Sequence, residues 1–150
     1  MPDGAKWIPM SEILTYEEIE RICREAVRIG ITRFKITGGE PLVRKGCADL
    51  IRMIRQIPGT EEVTMTTNGV LLGENLEDLL AAGLDAVNIS LDTLKPEHYN
   101  SLTGGCHVDR NPSDGNLEAV LRGMRKAQKQ AGISVKVNCV LMHQTREELL

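Results

Sequence analysis

The residues best suited to chemistry in this chain gather around Thr37-Gly38-Gly39-Glu40-Pro41. Two successive glycines let a ligand approach the backbone with no Cβ in the way. Glu40 adds a carboxylate that can accept hydrogen bonds from an ammonium group, and Pro41 stiffens the turn that follows. The turn gains weight from four alternating stretches: Phe34 to Thr37, Val63 to Asn68, Val87 to Asp92 and Val135 to Val140. Strand side chains alternate between two faces. Lys35/Thr37, Thr64/Thr66/Asn68, Asn88/Ser90/Asp92 and Lys136/Asn138 can therefore line one face of a single sheet, an arrangement suited to a polar, anionic ligand.

The elements that position these residues follow from capping signals and apolar spacing. Thr15-Tyr16-Glu17-Glu18 is a capping box, and Ile19, Ile22, Cys23, Ala26 and Val27 continue it at helical spacing until Gly30. A strand near Thr32 to Thr37 comes next. Cys47, Leu50, Ile51 and Ile54 mark a second helix, stopped by Pro58-Gly59, and a second strand covers about Glu62 to Thr67. A short helix around Leu76, Leu79 and Leu80 leads to the third strand, and Pro96 to Leu102 forms another turn or two of helix. A polar loop over residues 104–115 precedes a helix capped by Asn116 or Asp114, with Leu117, Val120, Leu121, Met124 and Ala127 as its buried stripe. Strand and helix alternate throughout, which predicts an α/β domain of parallel strands joined by crossover helices. The crossovers argue against an antiparallel sheet with one wet face. Lys35 and Lys136 are then expected inside a barrel or under other helices, where an ionised lysine needs an anion or another partner.

At 150 residues, 41% hydrophobic and 26% charged, the chain reads as one globular domain, residues 1–150. A formal charge of −3, with one Trp, two Tyr and one Phe, gives no reason to expect a nucleic acid partner. No apolar run is long enough to span a bilayer, and the first residues lack the pattern of a signal peptide. A cytoplasmic location is expected. Cys23, Cys47, Cys106 and Cys139 contain no Cys-x-x-Cys pair and read as reduced thiols, two of them on apolar helix positions. Cys106-His107 offers two metal-ligand types without visible partners. No metal ligand is therefore assigned. Thr145-Arg146-Glu147-Glu148 is a second capping box, and the first helix has no strand before it, so both ends read as interior positions of a longer, truncated domain.

The ordered set Ile36-Thr37-Gly38-Gly39-Glu40-Pro41-Leu42-Val43-Arg44, Thr66-Thr67-Asn68-Gly69, Asn88-Ile89-Ser90-Leu91-Asp92 and Val135-Lys136-Val137-Asn138 resembles the radical S-adenosylmethionine superfamily. Together with Glu12-Ile13-Leu14-Thr15, it resembles that superfamily's GTP 3',8-cyclases of molybdenum-cofactor biosynthesis. The resemblance covers nearly the whole chain and implies a partial (βα) barrel, the radical SAM core. It implies that Gly38, Gly39 and Glu40 contact the amino acid end of S-adenosylmethionine and that Ser90 lies beside it. Thr66 and Lys136 would face GTP, as would Lys35, which stands where the family often carries Arg and lacks that residue's bidentate fork. No residue is assigned to the chemical step itself.

The family holds a four-iron four-sulfur cluster on a Cys-x-x-x-Cys-x-x-Cys loop that ends, in the cyclases, directly before Met-Pro. This chain opens on Met1-Pro2, and its four cysteines match none of the family's ligand positions. The 150-residue chain alone is therefore expected not to cleave S-adenosylmethionine, whereas the full-length enzyme would use an electron donor, the cluster and the cofactor to start GTP cyclisation. Three rival readings remain: a peptide-modifying radical SAM enzyme, a non-catalytic nucleotide-binding module, and an ordinary phosphate-binding barrel. The last would want a glycine-rich phosphate loop on a late strand, and none is visible.

Overall fold

A computed structural model describes residues 9, 12–103, 116–142 and 145. Helix α1 (Tyr16–Arg28) starts at the capping box: the Glu18 amide donates to Thr15 Oγ1 at 3.2 Å and the Thr15 amide donates to Glu18 Oε2 at 2.8 Å. Strand β1 (Arg33–Ile36), a 3-10 turn (Pro41–Val43), α2 (Cys47–Arg55), β2 (Glu62–Thr67) and α3 (Leu72–Ala81) follow. The chain continues through β3 (Ala86–Ser90), α4 (Pro96–Leu102), α5 (Asn116–Gln128) and β4 (Ser134–Asn138). The third helix is longer than its three leucines announced, because Leu72 also buries fully and extends the apolar stripe by a turn. Cys106-His107, Asp114 and the residues after Thr145 in the second capping box lie outside the described residues.

The four strands form one parallel sheet in the order β1-β2-β3-β4. Sequential parallel neighbours require crossover connections, and right-handed crossovers put the connecting helices on one face. That face carries Val63 and Met65 of β2 with Val87 and Ile89 of β3, all fully buried in one core with Ile51, Ile54, Leu72, Leu76, Leu79 and Val120 from the helices. Helices α3 and α5 meet at Gly73 and Gly123, where a Cβ on Gly123 would stand 2.9 Å from the Gly73 nitrogen. Cys23 and Cys47 are buried, as their apolar helix positions predict.

The opposite face departs from expectation in one respect. Lys35 and Lys136 are exposed instead of enclosed. Their flanking strands are the two edges of the sheet, and four strands are half the number that closes a (βα) barrel of the usual kind. On this face Lys35 and Lys136 are exposed to solvent at the two edges, while Asn88 between them is buried. The described architecture is a partial (βα) barrel of α/β class, with the helical layer in place on one side of the sheet.

Candidate functional site

Strand register decides which side chains share the polar face. Lys35 pairs with Thr64, Thr66 with Asn88, Asn88 with Lys136, and Ser90 with Asn138. Registered neighbours in a sheet point the same way, and residues two apart on a strand do too. Lys35, Thr64, Thr66, Asn88, Ser90, Lys136 and Asn138 therefore lie on one face, opposite the helices. Asn88, in the third strand, is buried between its neighbours, and Thr66 is half-buried. Thr64 donates to the Phe34 carbonyl at 3.4 Å, so its hydroxyl serves the sheet itself.

The Gly38-Gly39-Glu40-Pro41 turn leaves the carboxyl end of β1, the edge at which parallel α/β sheets take their ligands. Gly38 and Gly39 are exposed, and a Cβ on Gly38 would meet nothing within 4 Å. Ser90 is exposed at the carboxyl end of β3, on the same edge of the sheet. Glu40 is half-buried and tightly held. Its Oε1 accepts from the Leu42 amide at 3.0 Å and from Thr67 Oγ1 at 2.8 Å, while Oε2 accepts from the Asn68 amide at 2.7 Å. One carboxylate thus joins the loop after β1 to the loop after β2. Asp92 does the same for the next pair, accepting from the Val140 amide at 2.8 Å across β3 and β4.

The sequence reading did not single out Thr67. It continues the series Val63, Met65 on the buried face of β2 and is 2% exposed, yet it is polar. Its hydroxyl donates to Glu40 and accepts from the Gly69 amide at 3.0 Å, so both of its roles are filled. A threonine at an apolar-face position two residues before a glycine was the available signal. Gly69 has φ +82°, and a Cβ there would lie 3.0 Å from both Ile89 and Val120, so the loop can only turn tightly over the core with glycine at this place.

Behind the turn, Arg44 locks the start of α1 to the same loop. Its guanidinium lies 4.2 Å from the Tyr16 ring centroid and donates to the Leu14 carbonyl at 2.7 Å. The Tyr16 hydroxyl donates in return to the Lys45 carbonyl at 3.1 Å, and burial pushes its pKa up. Leu14 and Arg44, which belong to separate motifs in the sequence, are one unit in space.

These motifs and this sheet agree with the comparisons. The family model for the Radical SAM superfamily matches residues 4–150. The chain belongs to the Radical SAM superfamily. Among curated relatives, the GTP 3',8-cyclase of Peptoclostridium acidaminophilum is 44% identical over 131 residues, 87% of this chain and 38% of its own length. That of Pelotomaculum thermopropionicum is 39% identical over 149 residues, 99% of this chain and 43% of the relative. That of Rhodopirellula baltica is 41% identical over 152 residues, 100% of this chain and 40% of the relative. The chain thus spans about two-fifths of the length of the curated relatives it matches.

Radical SAM proteins use S-adenosylmethionine together with an iron–sulfur cluster. The described residues suit the first of these. The open side of Gly38, the remaining lone pair of Glu40 Oε2 and the exposed Ser90 hydroxyl offer an amino acid group a backbone edge, an anion and a neutral partner. They offer no ligand set for iron: among the described residues no group of three or more His, Cys, Asp or Glu side chains is placed to hold a metal. No described helix is long and apolar enough to cross a membrane.

Proposed function

We propose that the chain is part of a cytoplasmic radical S-adenosylmethionine GTP 3',8-cyclase, which converts GTP to a 3',8-cyclised dihydroguanosine triphosphate in molybdenum-cofactor biosynthesis. The observation that carries this reading is the shared face: register aligns Thr66, Asn88 and Lys136 side by side, with Lys35 on the same side and the Gly-Gly-Glu turn at the carboxyl edge. The curated GTP 3',8-cyclases at 39 to 44% identity support the choice of substrate.

Gly38, Gly39 and Glu40 hold the amino acid end of S-adenosylmethionine, and Ser90 lies against the same cofactor. Lys35 and Lys136 stand on strands three sheet spacings apart, about 14 Å, so they engage different parts of the substrate. A lysine binds phosphate as a point charge, while Thr66 and Asn88 supply neutral hydrogen bonds between the two. The cofactor and its cluster, when bound, supply one-electron chemistry that removes a hydrogen atom from the substrate. The residues described here place cofactor and nucleotide against one another. Among the described residues no group of side chains is placed to hold the cluster. On this reading its ligands come from elsewhere in the enzyme, an external donor supplies the electron, and the 150-residue chain alone is expected to be inactive.

The test is GTP titration into the complete, cluster-reconstituted enzyme that contains this chain, beside its Lys136→Ala variant, with product followed by mass spectrometry. A cyclised product from GTP, and at least tenfold weaker GTP binding in the variant, are the expected results. Unchanged affinity removes Lys136 from the substrate site. Turnover of a peptide with no binding of GTP overturns the cyclase reading in favour of a peptide-modifying relative.

A further inference from the structure

We infer that Thr67 is the positioning residue that fixes Glu40 toward the cofactor, leaving one acceptor position on that carboxylate for the ligand's ammonium group. The inference rests on the cofactor assignment made above and adds a residue to it. A carboxylate offers about four lone-pair sites. Three are taken: Oε1 by the Leu42 amide and Thr67 Oγ1, and Oε2 by the Asn68 amide. The remaining site is on Oε2. Of the three donors, the two amides are fixed by backbone, and Thr67 is the only side chain among them.

The hydroxyl cannot turn away, because its oxygen accepts from the Gly69 amide at 3.0 Å and thereby directs its single proton to Glu40. Thr67 is also 2% exposed, so no water replaces the bond from that side. Without the hydroxyl, Oε1 regains a free lone pair and the carboxylate can rotate about its terminal torsion, which is broad in the absence of hydrogen bonds. The ammonium then meets an acceptor with two competing orientations in place of one.

Thr67→Val keeps the shape and removes the hydroxyl, and Thr67→Ser keeps the hydroxyl. Equilibrium dialysis on the complete, cluster-loaded enzyme would compare S-adenosylmethionine with methylthioadenosine, which lacks the amino acid end. For Thr67→Val the expected result is about tenfold weaker binding of S-adenosylmethionine, unchanged binding of methylthioadenosine, and recovery in Thr67→Ser. If Thr67→Val does not accumulate as folded protein, Thr67→Cys, whose thiol is a weak donor, takes its place in the same comparison. Equal weakening of both ligands, or no weakening of either, overturns the inference while leaving the cofactor assignment intact. Failure of the unsubstituted protein to bind S-adenosylmethionine overturns the cofactor assignment and the inference with it.

Discussion

Arg44 and Tyr16 hold each other in a reciprocal clasp. The guanidinium stacks 4.2 Å from the ring centroid and reaches past it to the Leu14 carbonyl, while the tyrosine hydroxyl donates back to the loop that carries Arg44. This contact joins the start of α1 to the loop between β1 and α2, and so braces the glycine turn from behind.

Arg44→Ala is expected to cost about 1 kcal/mol, the scale of an exposed cation–π contact with one added hydrogen bond. The loss should be local. Amide exchange in the first turn of α1 is expected to quicken, while amides of β2 and β3 keep their protection. Uniform acceleration across the sheet would show that the clasp supports the whole domain and not one helix start.

Gly73 and Gly123 make a second prediction. A Cβ on Gly123 would stand 2.9 Å from a backbone nitrogen that cannot move aside, whereas a Cβ on Gly73 would stand 3.3 Å from the Gly123 Cα. Gly123→Ala should therefore destabilise by about 1–3 kcal/mol through overpacking. Gly73→Ala should cost less, because its 3.3 Å contact is milder. Urea unfolding of both variants gives the order, and a Gly123→Ala protein as stable as the parent would mean that α3 and α5 separate easily.

Asp85 anchors the opposite end of the sheet. Its Oδ2 accepts from the Val63 amide at 2.7 Å and pairs with Arg55 at 3.3 Å. Val63 is fully buried, so Asp85→Ala strands a donor and should cost about 1–3 kcal/mol. Arg55→Ala breaks a partly exposed ion pair and an exposed hydrogen bond to the Glu61 carbonyl at 3.1 Å, and should cost less, about 1 kcal/mol. Equal losses in the two variants would assign the stability to the charge pair instead of the amide.

Much of this fold was legible before any coordinates, and the reasons are local. Thr15 with Glu18, Pro96, and the spacing of Cys47, Leu50, Ile51 and Ile54 each fix an element through nearby residues, and all appear where the chain announces them. The alternation that put Lys35, Thr66 and Lys136 on one side also survives, since register preserves it across strands. Two features were not legible. Exposure of the lysines depends on how many strands surround them, a property of closure that no single strand encodes. The bond between Glu40 and Thr67 joins residues 27 apart in sequence, and alternation alone assigns Thr67 to the core. Its polarity marked it as unusual there, but only the fold supplies the partner.

Cys47 offers a prediction in pH. Burial, with a smaller push from the Glu40 carboxylate and some opposition from Arg44, raises its thiol to about 11. At about pH 8 roughly one such thiol in a thousand is ionised, and thiolate is the form that reacts with alkylating agents. Exposed Cys139 should therefore be labelled well before Cys47 in the native protein, with mass spectrometry of peptides giving the order. The same shift has a consequence for stability. The folded thiol keeps its proton up to about pH 11, while the unfolded thiol releases it near about 8.5. Unfolding thus releases a proton between those values, and the contribution of Cys47 is complete below the window and lost as pH rises through it. Melting temperatures should fall more steeply over that range in the parent than in Cys47→Ala. Parallel pH profiles for the two proteins, or labelling of Cys47 as fast as Cys139, would show that the thiol is not held neutral by the core.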